Sequence, residues 1–360
     1  MKRLVICLDG TWNRADQEYE GVPCPTNVVQ MAFRAAKRDG DVSQIVYYDQ
    51  GVGTGNLLDR ISGGAFGEGL ESNIHDAYRF LVANYEPNDQ LFLFGFSRGA
   101  FTARSLAGMI RKCGILRRSS VRHYRPAVGL YRSAQRPDDP DPQQFRREHS
   151  VCGGDPIDIH FVGVWDTVGA LGIPMRGLRW LTRRDYQFHD TELSKSVKNA
   201  YHALAIDEHR APFRPTLWAY VPKEGQTVEQ VWFCGAHSDV GGGYREPGLS
   251  NIALTWMMEK AQAAGLSIDT EAAAAYPLVQ DLKLPPHNSR TALYRLARAL
   301  HRAIGVAMPI SGQMPAAAPV SDPRQSLHES VRKRWDEDEG YRPASVRNYF
   351  KLVGDPRAKP

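Results

Sequence analysis

The feature that most constrains the fold of this chain is a Gly-x-Ser-x-Gly motif at residues 95–99, which lies between two contrasting segments. The segment at residues 90–96 is short and strongly apolar, which is typical of a buried strand. In the segment at residues 98–110, by contrast, small residues recur at helical spacing. A strand, a tight turn and a helix around one serine form the setting of a nucleophile elbow. The pattern therefore predicts that Ser97 lies at the carboxyl end of a central strand.

The glycines of the motif have a steric reason. A serine in a strained turn between strand and helix requires positions without bulk two residues before and two after it, and Gly95 and Gly99 supply them. The amino end of the following helix also favours negative charge developing beside the serine. Ser97 is thus predicted to be the nucleophile of a serine hydrolase. The simpler alternative is that Ser97 only caps the helix.

The remaining pattern predicts an α/β fold of the α/β-hydrolase type, a mostly parallel sheet with helices on both faces and with cap insertions. A helix is predicted over residues 72–84. Further apolar strands are predicted at residues 4–8, 44–48, 157–164 and 231–234. We expect a single domain over residues 1–360. Three irregular, Pro- and Gly-containing insertions are expected to form the cap, at roughly 114–150, 172–195 and 265–325.

A serine nucleophile needs a base, and the base needs a carboxylate to orient it; in this fold the chain order is Ser, then Asp or Glu, then His. Asp166 is the best acid, because it follows the apolar strand at 157–164 and the carboxyl ends of parallel strands meet at one sheet edge. A structural loop role is its alternative. The rival acid is Asp207, in a segment that we interpret as the end of a helix.

His237 is the best base, because it follows the strand at 231–234 and precedes a run of three glycines. Such a run lets the backbone approach a neighbouring loop closely. Asp239 is expected to hydrogen-bond its own glycine turn, with a metal-ligand role as the alternative. His160 is expected in a strand as a core residue. Three further histidines are expected on helices, as surface or packing residues: His75, His202 and His301.

The oxyanion hole of such a site needs two backbone N–H donors. The first is expected from Arg98, the residue after the nucleophile. The second is expected from the loop after the first strand, where Gly10 allows a close approach, so the donor is Gly10 or Thr11. We expect no cofactor and no metal.

Other chemistries fit less well. Asp9-Gly10-Thr11 resembles half of an aspartate-phosphatase motif, but Cys7 stands where that motif needs its nucleophilic aspartate. The glycines of residues 51–55 lack the spacing of a dinucleotide loop, and no Gly-Lys-Ser/Thr follows, which excludes a P-loop. The five cysteines are widely spaced, with no CxxC pair, and are expected to be free thiols.

Composition adds limits on partners and location. The net charge of +5 arises from 45 basic and 40 acidic residues mixed along the chain, which does not indicate nucleic-acid binding. No apolar run is long enough for a signal peptide or a membrane span, so we expect a cytoplasmic protein, with signal-independent secretion left open. The oligomeric state is left open as well.

Residues 289–306 have the pattern of a basic amphipathic helix. Leu293, Leu296, Leu300 and Ile304 recur on one side, and three arginines, Arg295, Arg298 and Arg302, supply the charge. Such a helix can pack against the body, serve as a lid or lie on an anionic membrane, so a peripheral membrane contact is one expectation.

Seven ordered segments together resemble the catalytic domain of the type VI secretion phospholipase effectors. They lie at residues 7–13, 48–54, 95–104, 163–169, 203–208, 233–244 and 341–343. The resemblance implies an α/β-hydrolase fold and hydrolysis of acyl esters, with phospholipids as the substrates of the effectors. It carries the family's triad onto Ser97, Asp166 and His237.

The sequence thus predicts a serine hydrolase that cleaves carboxylic esters, a lipase-like or phospholipase-like esterase acting on an acyl-ester or lipid substrate. The alternative is a catalytically inert binding module with the same fold. Head group, acyl length and regiochemistry are left open by the sequence.

Overall fold

The apolar strands of the sequence assemble into one sheet of eight strands within the part of the chain that the structure describes. The structure is a computed structural model. It describes residues 1–10, 13–51, 63–168, 193–219, 223–290, 299–307 and 321–358. The order across the sheet is β10-β9-β8-β7-β6-β1-β5-β4. All neighbours in it are parallel except the β4–β5 pair.

The bounds of the strands follow the apolar runs to within a few residues. In chain order they are β1 (Arg3–Leu8), β2 (Glu18–Tyr19), β3 (Val22–Pro23), β4 (Arg38–Asp39), β5 (Val42–Asp49), β6 (Gln90–Phe96), β7 (Ile159–Trp165), β8 (Val197–Ala205), β9 (Thr227–Phe233) and β10 (Gln325–Leu327). The short strands β2 and β3 form a separate antiparallel ribbon.

Helices connect these strands. In chain order the described α-helices are α1 (Asn27–Arg34), α2 (Gly63–Asn84), α3 (Arg98–Cys113), α4 (Tyr124–Arg132), α5 (Pro140–His149), α6 (His237–Gly241), α7 (Gly248–Ala263), α8 (Thr270–Ala275), α9 (Glu329–Glu337) and α10 (Ala344–Val353). Short 3₁₀ segments lie at Arg118–His123, Ala211–Phe213 and Pro356–Ala358.

The sheet is covered on both faces, as its apolar composition requires. Side chains of β1 alternate between two clusters of buried residues: Val5 and Cys7 belong to the cluster that includes residues of α1, α7, α9 and α10, whereas Leu4, Ile6 and Leu8 belong to the cluster that includes residues of α2 and α3. Strands buried on both faces read as continuous apolar runs rather than as alternating patterns. The predicted α/β class, with a mostly parallel sheet between two layers of helices, is confirmed.

The sequence prediction lacks one long central strand, in addition to the short strands β2, β3, β4 and β10. Residues 197–205 form β8, a central strand between β7 and β9, and His202 lies on it rather than on a helix. The prediction was wrong here because Lys198, Asn199 and His202 interrupt the apolar run. Burial of the strand on both faces outweighs that local composition.

The predicted cap segments are only partly within the described residues. Residues 118–149 form a 3₁₀ segment and two helices, of which α4 and α5 pack against α3. Most of residues 172–195 lies outside the described part of the chain, and so do residues 308–320. The cap and the single domain stay predictions. No helix among the described residues is long and apolar enough to cross a membrane.

Candidate active site

Ser97 lies at the sharp turn from β6 into α3. Its backbone has φ 58° and ψ −118°, outside the regions that a side chain with a Cβ adopts comfortably. Its amide donates to the carbonyl oxygen of Trp165 at 3.0 Å, which joins this turn to the end of β7. The serine is buried, with 6% of its surface exposed. A strained residue held by a neighbouring strand end is the geometry of a nucleophile elbow.

The two glycines of the motif are required by close backbone contacts. A Cβ on Gly95 would lie 2.5 Å from the carbonyl oxygen of Gly99, and a Cβ on Gly99 would lie 2.1 Å from that of Leu8. Both distances are far below van der Waals contact, and the neighbouring atoms are backbone. The helix can therefore begin this close to the sheet only with glycine at both positions.

Asp166 follows β7, the strand next to β6. It has a φ of 36°, and its amide donates to the carbonyl oxygen of Ala203 on β8 at 2.7 Å. One carboxylate oxygen, Oδ1, accepts from the amide of Ala205 at 3.0 Å. The side chain is fully buried at the carboxyl edge of the sheet.

His237 is the first residue of α6, the short helix after β9. Its Nδ1 lies 2.6 Å from Oδ2 of Asp166, which makes Nδ1 the protonated nitrogen and leaves Nε2 for proton exchange. The imidazole packs between two rings: its centroid is 4.6 Å from that of Phe96 and 5.0 Å from that of Phe213. Since Phe96 immediately precedes Ser97, the imidazole lies beside the elbow.

The glycines after His237 are also required by close contacts with neighbouring residues. A Cβ on Gly241 would lie 2.0 Å from the ring of Phe96, and Gly242 has a φ of 84° and lies against the backbone of Thr26 and Asn27. These contacts bring the helix that begins at His237 against the strand that precedes Ser97.

Arg302 is a member of this site that the sequence reasoning missed. Its Nη1 donates to Oδ1 of Asp166 at 2.5 Å, and its Nη2 donates to Oδ2 at 3.0 Å, so the guanidinium binds both carboxylate oxygens. Burial would raise the pKa of Asp166, but Arg302 and the hydrogen bond with His237 outweigh it and hold the pKa well below the ordinary 3.8. The carboxylate is therefore ionised throughout the neutral range.

The position of Arg302 corrects the predicted amphipathic helix. Residues 299–307 are not helical, and Arg302 and Ile304 are both buried. The leucines and arginines at 291–298 lie outside the described residues. Periodicity cannot distinguish an exposed arginine from one drawn inward by a buried carboxylate. One signal in the sequence was available: Arg302 directly precedes an apolar run at residues 303–307, which indicates burial. A buried arginine almost always has a charged or polar partner.

The rival acid, Asp207, has a different environment. Its Oδ2 accepts from the amide of Gly235 at 2.8 Å and from the hydroxyl of Tyr341 at 2.8 Å. Burial raises the pKa of Asp207 above its ordinary value. Neither of these contacts is to His237, and the segment follows a strand rather than a helix. Of these two aspartates, the structure thus brings only Asp166 onto the imidazole.

The loop after β1 lies against the elbow, as the oxyanion hole requires. A Cβ on Gly10 would lie 3.1 Å from Cβ of Ser97. The amide of Gly10, however, donates to Oδ1 of Asp9 at 2.7 Å, and Thr11 lies outside the described residues. Arg98 is the first residue of α3, so its amide lies at the amino end of that helix. The choice between Gly10 and Thr11 stays a prediction.

Asp9 fixes this loop through the hydrogen bonds of its side chain. Its carboxylate accepts from the Thr26 hydroxyl at 2.7 Å, from the Tyr48 hydroxyl at 3.0 Å and from the Asn13 amide at 3.2 Å. Burial raises the pKa of Asp9 to about 6, although these donors and the amide of Gly10 oppose it. The aspartate that follows the first strand is therefore a buried anchor for the loop in which the oxyanion donor is predicted.

Comparison with known proteins assigns the chain to a family. The family described as T6SS, phospholipase effector Tle1-like, catalytic domain, matches residues 2–260. The chain belongs to this family. Ser97, Asp166 and His237 lie within the matched part, whereas Arg302 lies beyond it. The description of this family names a phospholipase effector.

This chain spans about a third to a half of the length of the relatives that it matches. The uncharacterized protein YEL023C of Saccharomyces cerevisiae is 29% identical over 249 residues, which are 62% of this chain and 34% of that protein. A solved uncharacterized protein from Pseudomonas aeruginosa is 19% identical, with a TM-score of 0.43 over 78% of this chain and 49% of that one. The Tle1 effector, solved bound to the VgrG spike of the type 6 secretion system, is 20% identical, with a TM-score of 0.40 over 67% and 51%.

The other polar candidates in this Tle1-like domain have structural partners. Asp239 accepts from the amide of Ala236 at 2.9 Å, which ties its own turn at the start of α6, and its Oδ1 lies 2.7 Å from Nδ1 of His287. The His202 ring accepts from the amide of Thr167 at 3.1 Å. His160 lies on β7, as predicted, but it is half-buried rather than in the core, and its ring bonds the carbonyl oxygen of Ala264 at 2.7 Å.

The last two histidines that the sequence analysis singled out are His75 and His301. His75 lies on α2, as predicted, 3.5 Å from Glu71. His301 is exposed and lies on no helix, contrary to the prediction. Within the described ranges, no group of three or more His, Cys, Asp or Glu side chains could hold a metal ion.

Proposed function

We propose that this chain is a serine hydrolase that cleaves the acyl esters of lipids through Ser97, His237 and Asp166. The observation that carries the proposal is the 2.6 Å contact between Asp166 and His237, made beside a serine that has the strained backbone of a nucleophile elbow. The three residues follow β6, β7 and β9, whose carboxyl ends meet at one edge of the sheet.

The mechanism uses protein groups and water. Nε2 of His237 takes the proton of the Ser97 hydroxyl as its oxygen attacks the ester carbonyl, and Asp166 holds the tautomer and stabilises the imidazolium. The amide of Arg98, with that of Gly10 or Thr11, donates to the developing oxyanion. His237 then protonates the leaving alcohol. A water molecule, deprotonated by His237, hydrolyses the acyl-enzyme.

The substrate class follows from the family. Tle1-like effectors are described as phospholipases, which supports phospholipid acyl esters as the substrates of this chain. The broader class of carboxylic esters is supported by the triad geometry alone. Neither observation selects the head group, the acyl length or the position of the bond that is cleaved.

A fluorophosphonate probe tests the mechanism directly, because it reacts only with an activated serine. We expect the probe to label the wild-type chain and to fail to label Ser97→Ala. We also expect hydrolysis of nitrophenyl esters of graded chain length and of a phospholipid panel to fall by at least about 1,000-fold in Ser97→Ala and in His237→Ala.

Thermal unfolding of each variant serves as the control for folding. Absence of labelling in the wild type would indicate the inert binding module instead. Labelling that survives Ser97→Ala would contradict the choice of nucleophile.

A further inference from the structure

Arg302 binds Asp166, the proposed acid of the triad, through two hydrogen bonds. The guanidinium gives one N–H to each oxygen of Asp166. Bidentate pairing of arginine with a carboxylate fixes the plane of the carboxylate as well as its charge. Both side chains are almost fully buried, so solvent does not screen the pair.

Arg302 is itself held by backbone. Nη1 also donates to the carbonyl oxygen of Ala205 at 2.7 Å, and Nη2 donates to that of Phe213 at 2.6 Å. Ala205 ends β8, and the Phe213 ring packs on His237. The guanidinium thus joins the acid, the neighbouring strand end and the wall of the imidazole pocket.

We propose that Arg302 is a positioning residue for the triad, which fixes the Asp166 carboxylate against His237 and whose positive charge offsets part of the carboxylate charge beside the imidazole. The inference rests on the proposed function, because it assigns Arg302 a role in that same site. Oδ2 of Asp166 serves both His237 and Arg302, so the guanidinium neutralises part of the charge that the imidazole meets. A fixed cation near an imidazole disfavours a second positive charge on it.

The other ionisable groups around His237 are already paired. Glu208, which accepts from the His237 amide at 3.4 Å, is bound by Arg210 and by the hydroxyl of Ser289. Asp239, on the same short helix, is bonded to His287. The two rings on the imidazole, Phe96 and Phe213, do not titrate. Among the described contacts, Arg302 is therefore the cation that binds the Asp166–His237 pair directly.

Arg302 comes from a segment beyond residue 260, where the family match ends. The amide of Leu300 donates to the carbonyl oxygen of His209 at 2.9 Å, and the amide of Gly305 donates to Gln325 at 3.0 Å. These bonds fix the chain on both sides of the arginine. The acid site of this chain is thus completed by residues outside the family match.

The test compares the pH profile of kcat/KM in wild type, Arg302→Gln and Arg302→Lys. In Arg302→Gln we expect kcat to fall by roughly 10- to 100-fold with KM little changed. We also expect the acid limb of the profile to move to higher pH by about one unit. Arg302→Lys keeps the charge but cannot bind both oxygens, so it should lower kcat and leave the acid limb in place.

Arg146→Met is the matched control. Arg146 is equally buried, and it donates to the backbone carbonyl oxygens of Arg111, Lys112 and Pro137, near the end of α3 away from Ser97. It should change stability without moving the pH profile. A purely structural role for Arg302 would make Arg302→Gln behave like this control, and an unmoved acid limb in Arg302→Gln would overturn the proposal.

An NMR titration of the His237 ring gives a second readout that needs no substrate. If Arg302→Gln does not fold, the comparison is made between Asp166→Asn and the double variant Asp166→Asn/Arg302→Met, which leaves no unpaired buried charge. Removal of Arg302 should move the titration to higher pH, and an unchanged titration would refute the inference. A shifted titration in a chain without esterase activity would refute the proposed function and leave the positioning role standing.

Discussion

At the scale of single residues, backbone strain collects at the proposed site. Non-glycine residues with positive φ are rare, and the described part of the chain has four: Glu20, Asn88, Ser97 and Asp166. Asn88 and Glu20 lie in turns, whereas the other two are the proposed nucleophile and acid. The backbone amide of each strained residue donates a hydrogen bond to a neighbouring strand: Ser97 donates to the carbonyl oxygen of Trp165, and Asp166 donates to that of Ala203. Such strain persists only where surrounding structure over-determines the conformation.

The choice of acid leads to a prediction at this scale. Asp166→Asn should lower kcat by about 10,000-fold, because the amide can no longer hold His237 in the reactive tautomer. Asp207→Asn should lower kcat by less than about threefold, since Gly235 and Tyr341 can still donate to the remaining oxygen. Ester hydrolysis of both variants, measured beside their thermal unfolding, checks this. A large loss confined to Asp207→Asn would reverse the assignment.

At the scale of elements, the crossing of α3 over the ends of β1 and β6 decides where the serine lies. The helix begins so close to the sheet that Gly99 lies against the carbonyl oxygens of Leu8 and Asp9. The same helix contains a second glycine, Gly108, whose added Cβ would meet nothing nearer than the Tyr131 ring at 3.8 Å. Two glycines on one helix thus have opposite steric demands.

Gly99→Ala should therefore destabilise the fold by about 3 kcal/mol or more, since backbone of β1 would have to move. It should also abolish labelling of Ser97 by the fluorophosphonate probe. Gly108→Ala should raise the free energy of unfolding by about 0.5–1 kcal/mol, because alanine favours the helix. Urea unfolding of the two variants measures both effects. Equal stability of the two alanine variants would contradict the close packing of α3.

At the scale of the whole molecule, the residues after 260 belong to the main core. Strand β10 extends the sheet beside β9, and the Trp232 indole donates to Gln325 at 3.1 Å. Trp335 and Phe350, from the last two helices, are buried in the cluster that also contains Phe94 and Trp165. The sheet face that supports the site is therefore covered in part by the end of the chain.

A chain ending at residue 260 should consequently fail to fold cooperatively. It loses one strand, part of the cover of one sheet face and Arg302, and so exposes apolar surface that costs about 25 cal/mol for each Å². The full chain should instead unfold in one transition, seen alike by circular dichroism and tryptophan fluorescence. Two separate transitions in the full chain would contradict the predicted single domain.

The sequence by itself determined the elements that depend on local composition. The run before Ser97 had to be a buried strand, the glycines around it had to mark a tight turn, and Asp166 and His237 had to follow later strands. These inferences need only hydropathy, glycine placement and chain order, and the positions of the strands agree with them. Residues 197–205 escaped the same reasoning because polar residues hide a strand whose burial comes from its neighbours.

Only the tertiary structure decided which groups meet. Arg302 looked like one charge on an amphipathic surface, yet it binds Asp166, because a buried carboxylate attracts a cation from any distance along the chain. The amide of Gly10 is bonded to Asp9, a contact that the sequence did not predict, while the choice between Gly10 and Thr11 as oxyanion donor stays a prediction. Periodicity reports the environment that a segment prefers on average. Pairing across the fold depends on distances that only the packed chain defines.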